Sequence, residues 1–346
     1  MLTRALSFVF APFALWAASV ANAEERIGVI AGFSGDSAAY GAAYRNGIEL
    51  ADLRGGTTFF YEDDGFLPAK TITAFRKLVD IDKVSSVIVG DSVTSQAVAS
   101  LAKKEKIHLF GWASADKVFL DNPYALRLWT TIERDYGYVA DEVVRHGYTR
   151  VAVFSSTHPY ASAWGDAVQK RLPGSSWDDF PKSPDSFQTY ILRLKRSGVD
   201  AVGLCLSPGL NGLFTKQMRN LNVSLPVFAC DFVEASADIQ VADGSFDGVW
   251  FTAPKVSAKF IGRYREKFGM TDHVVSAALF HDAALLAVKQ SNPEFAIEGI
   301  TVVEEGGDRH LDFPFATFVF RGSVIEEVPL SSSSVLGLSS NGVKKR

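Results

Sequence analysis

Cysteine is nearly absent from this chain of 346 residues; Cys205 and Cys230 are the only two. They stand too far apart, and without histidine company, for a redox pair or a thiolate metal site. Both fall in apolar, strand-like runs, 202–206 and 227–230, where cysteine behaves as a small hydrophobe. Two buried free thiols are the expectation, although an exported chain would also permit a disulfide. An excess of positive charge is missing too. Lysine and arginine number 35 against 39 aspartates and glutamates, a net charge of −4, which gives nucleic acid no electrostatic foothold. There is no nucleophile elbow, no His-Glu-x-x-His, no phosphate-binding loop and no dinucleotide fingerprint. The six histidines (His108, His146, His158, His273, His281 and His310) are scattered, with no two spaced to share a helix face. No catalytic residue, metal or cofactor is therefore expected. Glu62-Asp63-Asp64 reads as a strand end running into a polar loop before Pro68 opens a helix. Beyond the N-terminus no apolar run reaches the roughly 20 residues needed to cross a bilayer.

What is present begins with a leader. Arg4 supplies a positive start, residues 5–21 carry no charge, and Ala21-Asn22-Ala23 is a small-x-small cleavage pattern ahead of Glu24-Glu25. This reads as a secretory signal peptide, residues 1–23, cut after Ala23, with the mature chain in the periplasm. A membrane anchor is the competing reading, but the run is short and contains Pro12.

The rest alternates short apolar runs with helical patterns. Strands are predicted over 26–32, 57–62, 86–90, 107–111, 150–154, 200–206, 226–230 and 248–251, and later over 301–304, 315–320 and 324–328. Apolar spacing predicts helices between them, for example over 69–80, 95–104 and 137–145. Continuously apolar strands alternating with helices imply parallel sheets covered on both faces, an α/β doubly wound architecture. The length suits two domains. The plan also repeats: strand, loop, Tyr40 and helix near the start, then strand, loop, Tyr160 and helix past the middle. Each half thus places a tyrosine at the carboxyl end of its first strand, where open α/β sheets bind ligands. The tail, 331–346, is rich in serine and glycine and is expected to be disordered.

Four places look built for recognition. Residues 90–95, with Thr94 and Ser95, offer hydroxyls and amides at a helix start, which cap the helix and attract anions. Trp112-Ala113-Ser114 offers similar donors after the next strand. Tyr40 and Tyr160 are the third. The fourth is Asp231, directly after an apolar strand, either capping the turn that follows or pairing with a ligand cation. One wall for a carboxylate and one acid for an ammonium make a plausible amino-acid site.

At these residues the chain resembles the type I periplasmic solute-binding proteins of the branched-chain amino-acid group, receptors of ABC importers. The resemblance covers residues 26–328. Its carriers are 27–30 with Tyr40-Gly41 and 45–51, then 61–64 with Pro68-Ala69-Lys70, 88–90 with Thr94-Ser95, Asp135-Tyr136-Gly137, His158-Pro159-Tyr160 and 213–221. It implies two Rossmann-like lobes joined by a three-strand hinge, with crossings near Thr131, Ala253 and Phe315. The N-terminal lobe would comprise 24–131 plus 254–300, and the C-terminal lobe 132–253 plus 301–330. It also implies Ser95, with Thr94, on the ligand carboxylate, Ala113 and Ser114 beside it, Tyr40 and Tyr160 on opposite walls, Ser207 with Leu206 as a further second-lobe contact, and Asp231 on the amino group. Trp112 departs from the small residue common in relatives and reshapes the pocket. The implied partners are a small-molecule carboxylate, an amino acid by preference, and a membrane permease, with the receptor itself a monomer. Alternatives are a receptor for aromatic carboxylates or amides without an amine, in which Asp231 only caps its turn, a cytoplasmic ligand-sensing regulator on the same fold, and an extracellular enzyme. The leader speaks against the regulator, and the absence of a catalytic constellation against the enzyme.

Overall fold

The computed structural model describes residues 24–328 except 54–55, 114–117, 181–183, 185, 270–272 and 323. The leader at 1–23 and the tail at 331–346 lie outside them.

The chain builds two seven-stranded mixed sheets, each interleaved with helices. The first begins with β1 (Glu25–Ala31), β2 (Thr57–Asp63), β3 (Ser86–Val89), β4 (His108–Gly111) and β5 (Ala125–Arg127). These strands run parallel, with α1 (Ala38–Leu50), α2 (Pro68–Asp80) and α3 (Ser92–Glu105) as crossovers. Residues 128–131 lead into α4 (Ile132–Arg145) and the second sheet: β6 (Val151–Ser156), β7 (Ser176–Phe180), β8 (Ala201–Cys205), β9 (Val227–Ala229) and β10 (Trp250–Pro254). Its crossovers are α5 (Pro159–Arg171), α6 (Gln188–Ser197), α7 (Leu210–Asn220) and α8 (Ser236–Ala242). The chain then returns to the first lobe through α9 (Ala258–Phe268), α10 (Val274–Ala287), β11 (Thr301–Glu305) and β12 (Asp308–Asp312), and ends on the second with β13 (Phe315–Arg321) and β14 (Val324–Val328).

The central strands explain the parallel choice. β3, β6 and β8 are buried at every residue, and β1 from Ile27 onward, so both faces need cover and helices supply it. α10 is apolar almost all round and buried along nearly its whole length, as befits a core helix. It packs on α1 at Gly47, where an added Cβ would run into the Ala277 carbonyl.

Two expectations are corrected. First, residues 301–312 do not join the C-terminal lobe. β12 pairs with β5 through His310 and Arg127, and the fully buried Arg127 guanidinium meets Asp308 at 2.7 Å, which locks this hairpin to the first sheet. The third crossing is therefore at 313–314, beside Phe315. Second, Cys205 and Cys230 are not free thiols but form a disulfide, with Cα atoms 5.2 Å apart. Parallel pairing of β8 with β9 brings these strand ends together whatever their separation in sequence.

Candidate functional site

The candidate site residues lie at or just beyond the carboxyl ends of strands in both sheets, the edge at which open α/β sheets bind ligands. Tyr40 lies in the first turn of α1 and packs its ring on His273, centroids 4.0 Å apart and planes tilted by 32°, at the foot of α10. Burial pushes its phenol pKa upward, and so do the carboxylates of Asp231, Asp238 and Glu234, all from the other lobe. Tyr40 therefore faces the acidic side of the second lobe. Burial lowers the pKa of His158, opposed by the carboxylate of Asp91 from across the cleft.

On the second lobe, Tyr160 in the first turn of α5 donates its hydroxyl to Asp231 Oδ1 at 3.0 Å. Its ring lies between Tyr136 (5.6 Å) and Phe232 (5.3 Å). Asp231 opens a 3-10 turn, 231–234, whose N-cap residue is Cys230. Desolvation raises its pKa from 3.8 to about 6, opposed by the Tyr160 hydroxyl and its own backbone N–H. Among the described residues no lysine, arginine or histidine pairs with it. Ser207 sits beside this wall, its backbone N–H donating to Ser156 Oγ (2.8 Å) and its hydroxyl 3.0 Å from the same oxygen.

The first-lobe hydroxyls are engaged within their own lobe. Thr94 and Ser95 are fully buried. The Thr94 hydroxyl donates to the Asp91 carbonyl at 3.2 Å, and the Ser95 hydroxyl lies 3.5 Å from the Val89 carbonyl. Asp91 is the N-cap of α3 and accepts from the amides of Val93 (2.9 Å) and Thr94 (3.2 Å). The anion that this helix start attracts is thus its own carboxylate. Ala113 is buried, and Ser114 lies outside the described residues. Trp112 is half-buried and stacks on Trp129 with centroids 5.5 Å apart and planes 18° apart, while Tyr44 approaches its ring at 6.0 Å.

Sequence reasoning missed several participants. Trp129 stands on the first crossing, between the lobes. It touches Phe313 and Phe315 at the third crossing and donates Nε1–H to Asp135 Oδ2 at 2.7 Å. Asp135 is buried, and desolvation lifts its pKa to about 8. Glu234, three residues after Asp231 and so on the same face of a 3-10 turn, is lifted to about 8 by desolvation and by Asp231. Its position after the acid was the signal available. Behind this turn is a cavity of about 390 Å³ lined by Glu234, Phe251, Ala253, Ile261, Val275 and Phe318, apart from the expected ligand residues. Among the described residues no group of three or more metal-binding side chains is assembled.

Together these residues give two facing walls rich in aromatic rings and an acid that no lysine or arginine pairs with among the described residues. The sequence profile of the family described as "Periplasmic binding protein" matches residues 24–304. No curated protein matches by sequence. Among solved structures, the leucine-binding protein LivK of Thermotoga maritima superposes with a TM-score of 0.73 at 18% identity, over 88% of this chain and 98% of that one. The branched-chain amino-acid binding protein LivJ of Streptococcus pneumoniae, in complex with isoleucine, gives 0.73, 18%, 88% and 99%. A solute-binding protein of an ABC transporter from Rhodopseudomonas palustris, in complex with benzoate, gives 0.70, 17%, 88% and 95%. The profile match over most of the chain and the shared two-lobed fold place this protein in the periplasmic binding protein family, the extracytoplasmic, non-enzymatic solute receptors of ABC transporters.

Proposed function

We propose that this receptor captures a small carboxylate bearing an amine, an amino acid, between its lobes and delivers it to a membrane permease. The observation that carries this reading is Asp231: a part-buried carboxylate, held by one tyrosine hydroxyl and unmatched by any protein cation among the described residues. A partly desolvated carboxylate of that kind is stabilised when a ligand ammonium arrives. Tyr40 and Tyr160 close the two sides, Trp112 narrows the first wall, and Ser207 lies beside Asp231. The ligand carboxylate is assigned to the backbone around Ala113 and Ser114, with Thr94 and Ser95 shaping the floor beneath it. The protein is exported, cleaved after Ala23, and works as a monomer.

A second reading has its own support. The cleft is rich in rings, including the Trp112–Trp129 stack and the Tyr136, Tyr160 and Phe232 group. Asp135 and Glu234, lifted to about 8, are largely protonated at neutral pH, and a protonated carboxyl can donate to a ligand carboxylate. An aromatic carboxylate without an amine fits those features. A thermal-shift panel of amino acids and aromatic carboxylates at pH 7 separates the two. A ligand at a hundred times its Kd adds about 2.7 kcal/mol to stability. Stabilisation by amino acids supports the first reading, whereas stabilisation by benzoate-type acids alone replaces it with the second.

A further inference from the structure

We propose that the Cys205–Cys230 disulfide is a positioning element of the binding site, holding Asp231 against Tyr160 so that the second lobe presents its carboxylate at one fixed place. This rests on the reading of Asp231 as the ammonium acceptor. The backbone ladder between β8 and β9 ends at Leu204 and Ala229, with a last hydrogen bond from the Cys230 N–H to the Leu204 carbonyl at 3.0 Å. The disulfide is the next cross-link, at the point where the strands stop holding each other. From there the chains part. One continues through Leu206 to Ser207, the other through Asp231 into its turn. Both loops that carry proposed second-lobe contacts therefore spring from the two ends of one covalent bond.

The rest of the support is unevenly shared. The Leu206 loop is tied to α7, since Asn211 Oδ1 accepts from the Leu206 N–H at 2.9 Å and Asn211 Nδ2 donates to the Leu206 carbonyl at 3.0 Å. α7 is tied to α8 through Asp238, which accepts from the Gly212 N–H at 2.7 Å. The Asp231 side chain has a single side-chain partner among the described residues, Tyr160, while its turn is held by the buried Val233, whose N–H donates to the Cys230 carbonyl at 3.3 Å. Cys230, its immediate neighbour in the chain, is fixed by the disulfide together with its N–H bond to Leu204. Both cysteines are buried, so the bond is built into the lobe and not exposed at its surface.

The test uses the full mature chain and two variants, C205A/C230A and the bulkier C205V/C230A, each checked for native circular dichroism. A ligand-free readout comes first: the titration of the Asp231 carboxyl by carbon NMR. The groups facing it are Tyr160, Tyr40, Asp135 and Glu234. In the oxidised protein the midpoint lies near 6. Release of the loop rehydrates the carboxyl, and the midpoint falls toward the ordinary carboxylate range in folded variants. A midpoint unchanged in both overturns the proposal. The second readout is calorimetry with L-phenylalanine and with 3-phenylpropanoate, which lacks the amine. Loss of the disulfide should cost the amino acid about tenfold in affinity and leave its counterpart unaffected, because only the former uses the positioned carboxylate. Equal losses for both probes overturn positioning and leave a stability role. A wild type that does not prefer phenylalanine undoes the amine reading instead, and the NMR midpoint still decides the role of the disulfide.

Discussion

Replacing Asp231 by asparagine should move stability and binding in opposite directions. Burial raises the folded pKa of this acid from 3.8 to about 6, which corresponds to roughly 3 kcal/mol against the charged form. Because the folded pKa is raised, the cost is absent below the unfolded value, grows as pH climbs from about 4 to about 6, and is complete above that. Asparagine removes the charge while keeping an oxygen for the Tyr160 hydroxyl 3.0 Å away. The free variant should therefore be more stable at pH 7 by up to about 3 kcal/mol, less whatever the amide loses by being buried without an acceptor. Its gain should vanish at pH 4. Binding of an amine-bearing ligand should weaken by about 2–5 kcal/mol, since the ammonium then lacks its counter-charge in a desolvated site. Denaturant melts from pH 4 to 8, with calorimetry on the amino acid that stabilises the wild type, measure both arms. A variant that binds an amino acid as tightly as the wild type would refute the ammonium role. One with no stability gain at pH 7 would refute the claim that the carboxylate is held at a cost for function.

Four further outcomes follow from the same geometry. Tyr160→Phe removes a hydroxyl that lowers the pKa of Asp231, so the pH at which affinity for an amino acid is half-lost should move upward from about 6; a pH series of calorimetric titrations reads it. Asp135→Asn should stabilise the free protein by an amount that grows as pH rises from about 4 to about 8 and is then flat, because the folded pKa of that acid is raised over this window; a pH-independent effect contradicts its assignment as a buried, largely neutral acid. Gly47→Ala should cost about 1–3 kcal/mol by forcing α1 away from the Ala277 carbonyl, measured by urea unfolding. Removing the disulfide should cost about 3.5 kcal/mol if it acts on the unfolded chain, as the loop closed by a separation of 25 residues implies.

Much of the fold could be read because its central strands declare themselves. β1, β3, β6 and β8 are continuous apolar runs, and the predicted spans agree with the observed ones to within a residue or two. β5, β7 and β12 were invisible for identifiable reasons. β5 has three residues. β7, Ser-Trp-Asp-Asp-Phe, is an edge strand with half-exposed polar positions. β12, Asp-Arg-His-Leu-Asp, carries charges matched largely by residues from far earlier in the chain, Asp308 by the buried Arg127 and Asp312 by Arg134. Hydropathy reads such a segment as a loop, and this is why the lobe boundary was placed at 301. The disulfide was hidden in the same way. Its two strands were each predicted, but their adjacency is a property of the sheet. The repeat puts Tyr40 and Tyr160 in the first turns of α1 and α5, at matching places on the two lobes, and Tyr160 meets Asp231 at 3.0 Å. At the start of α3, Asp91 accepts from the amides of Val93 and Thr94, donors that the sequence offered to an anion.

The stack of Trp112 on Trp129 gives this receptor a built-in optical signal. Two indoles with centroids 5.5 Å apart and planes 18° from parallel share their near-ultraviolet transitions. One belongs to the first lobe's wall, and the other rides on the segment 128–131 that carries the chain between lobes, with its N–H on an acid of the second lobe. A movement of one lobe against the other that separates the two rings would therefore register in the circular dichroism of the unlabelled protein, with no added reporter group.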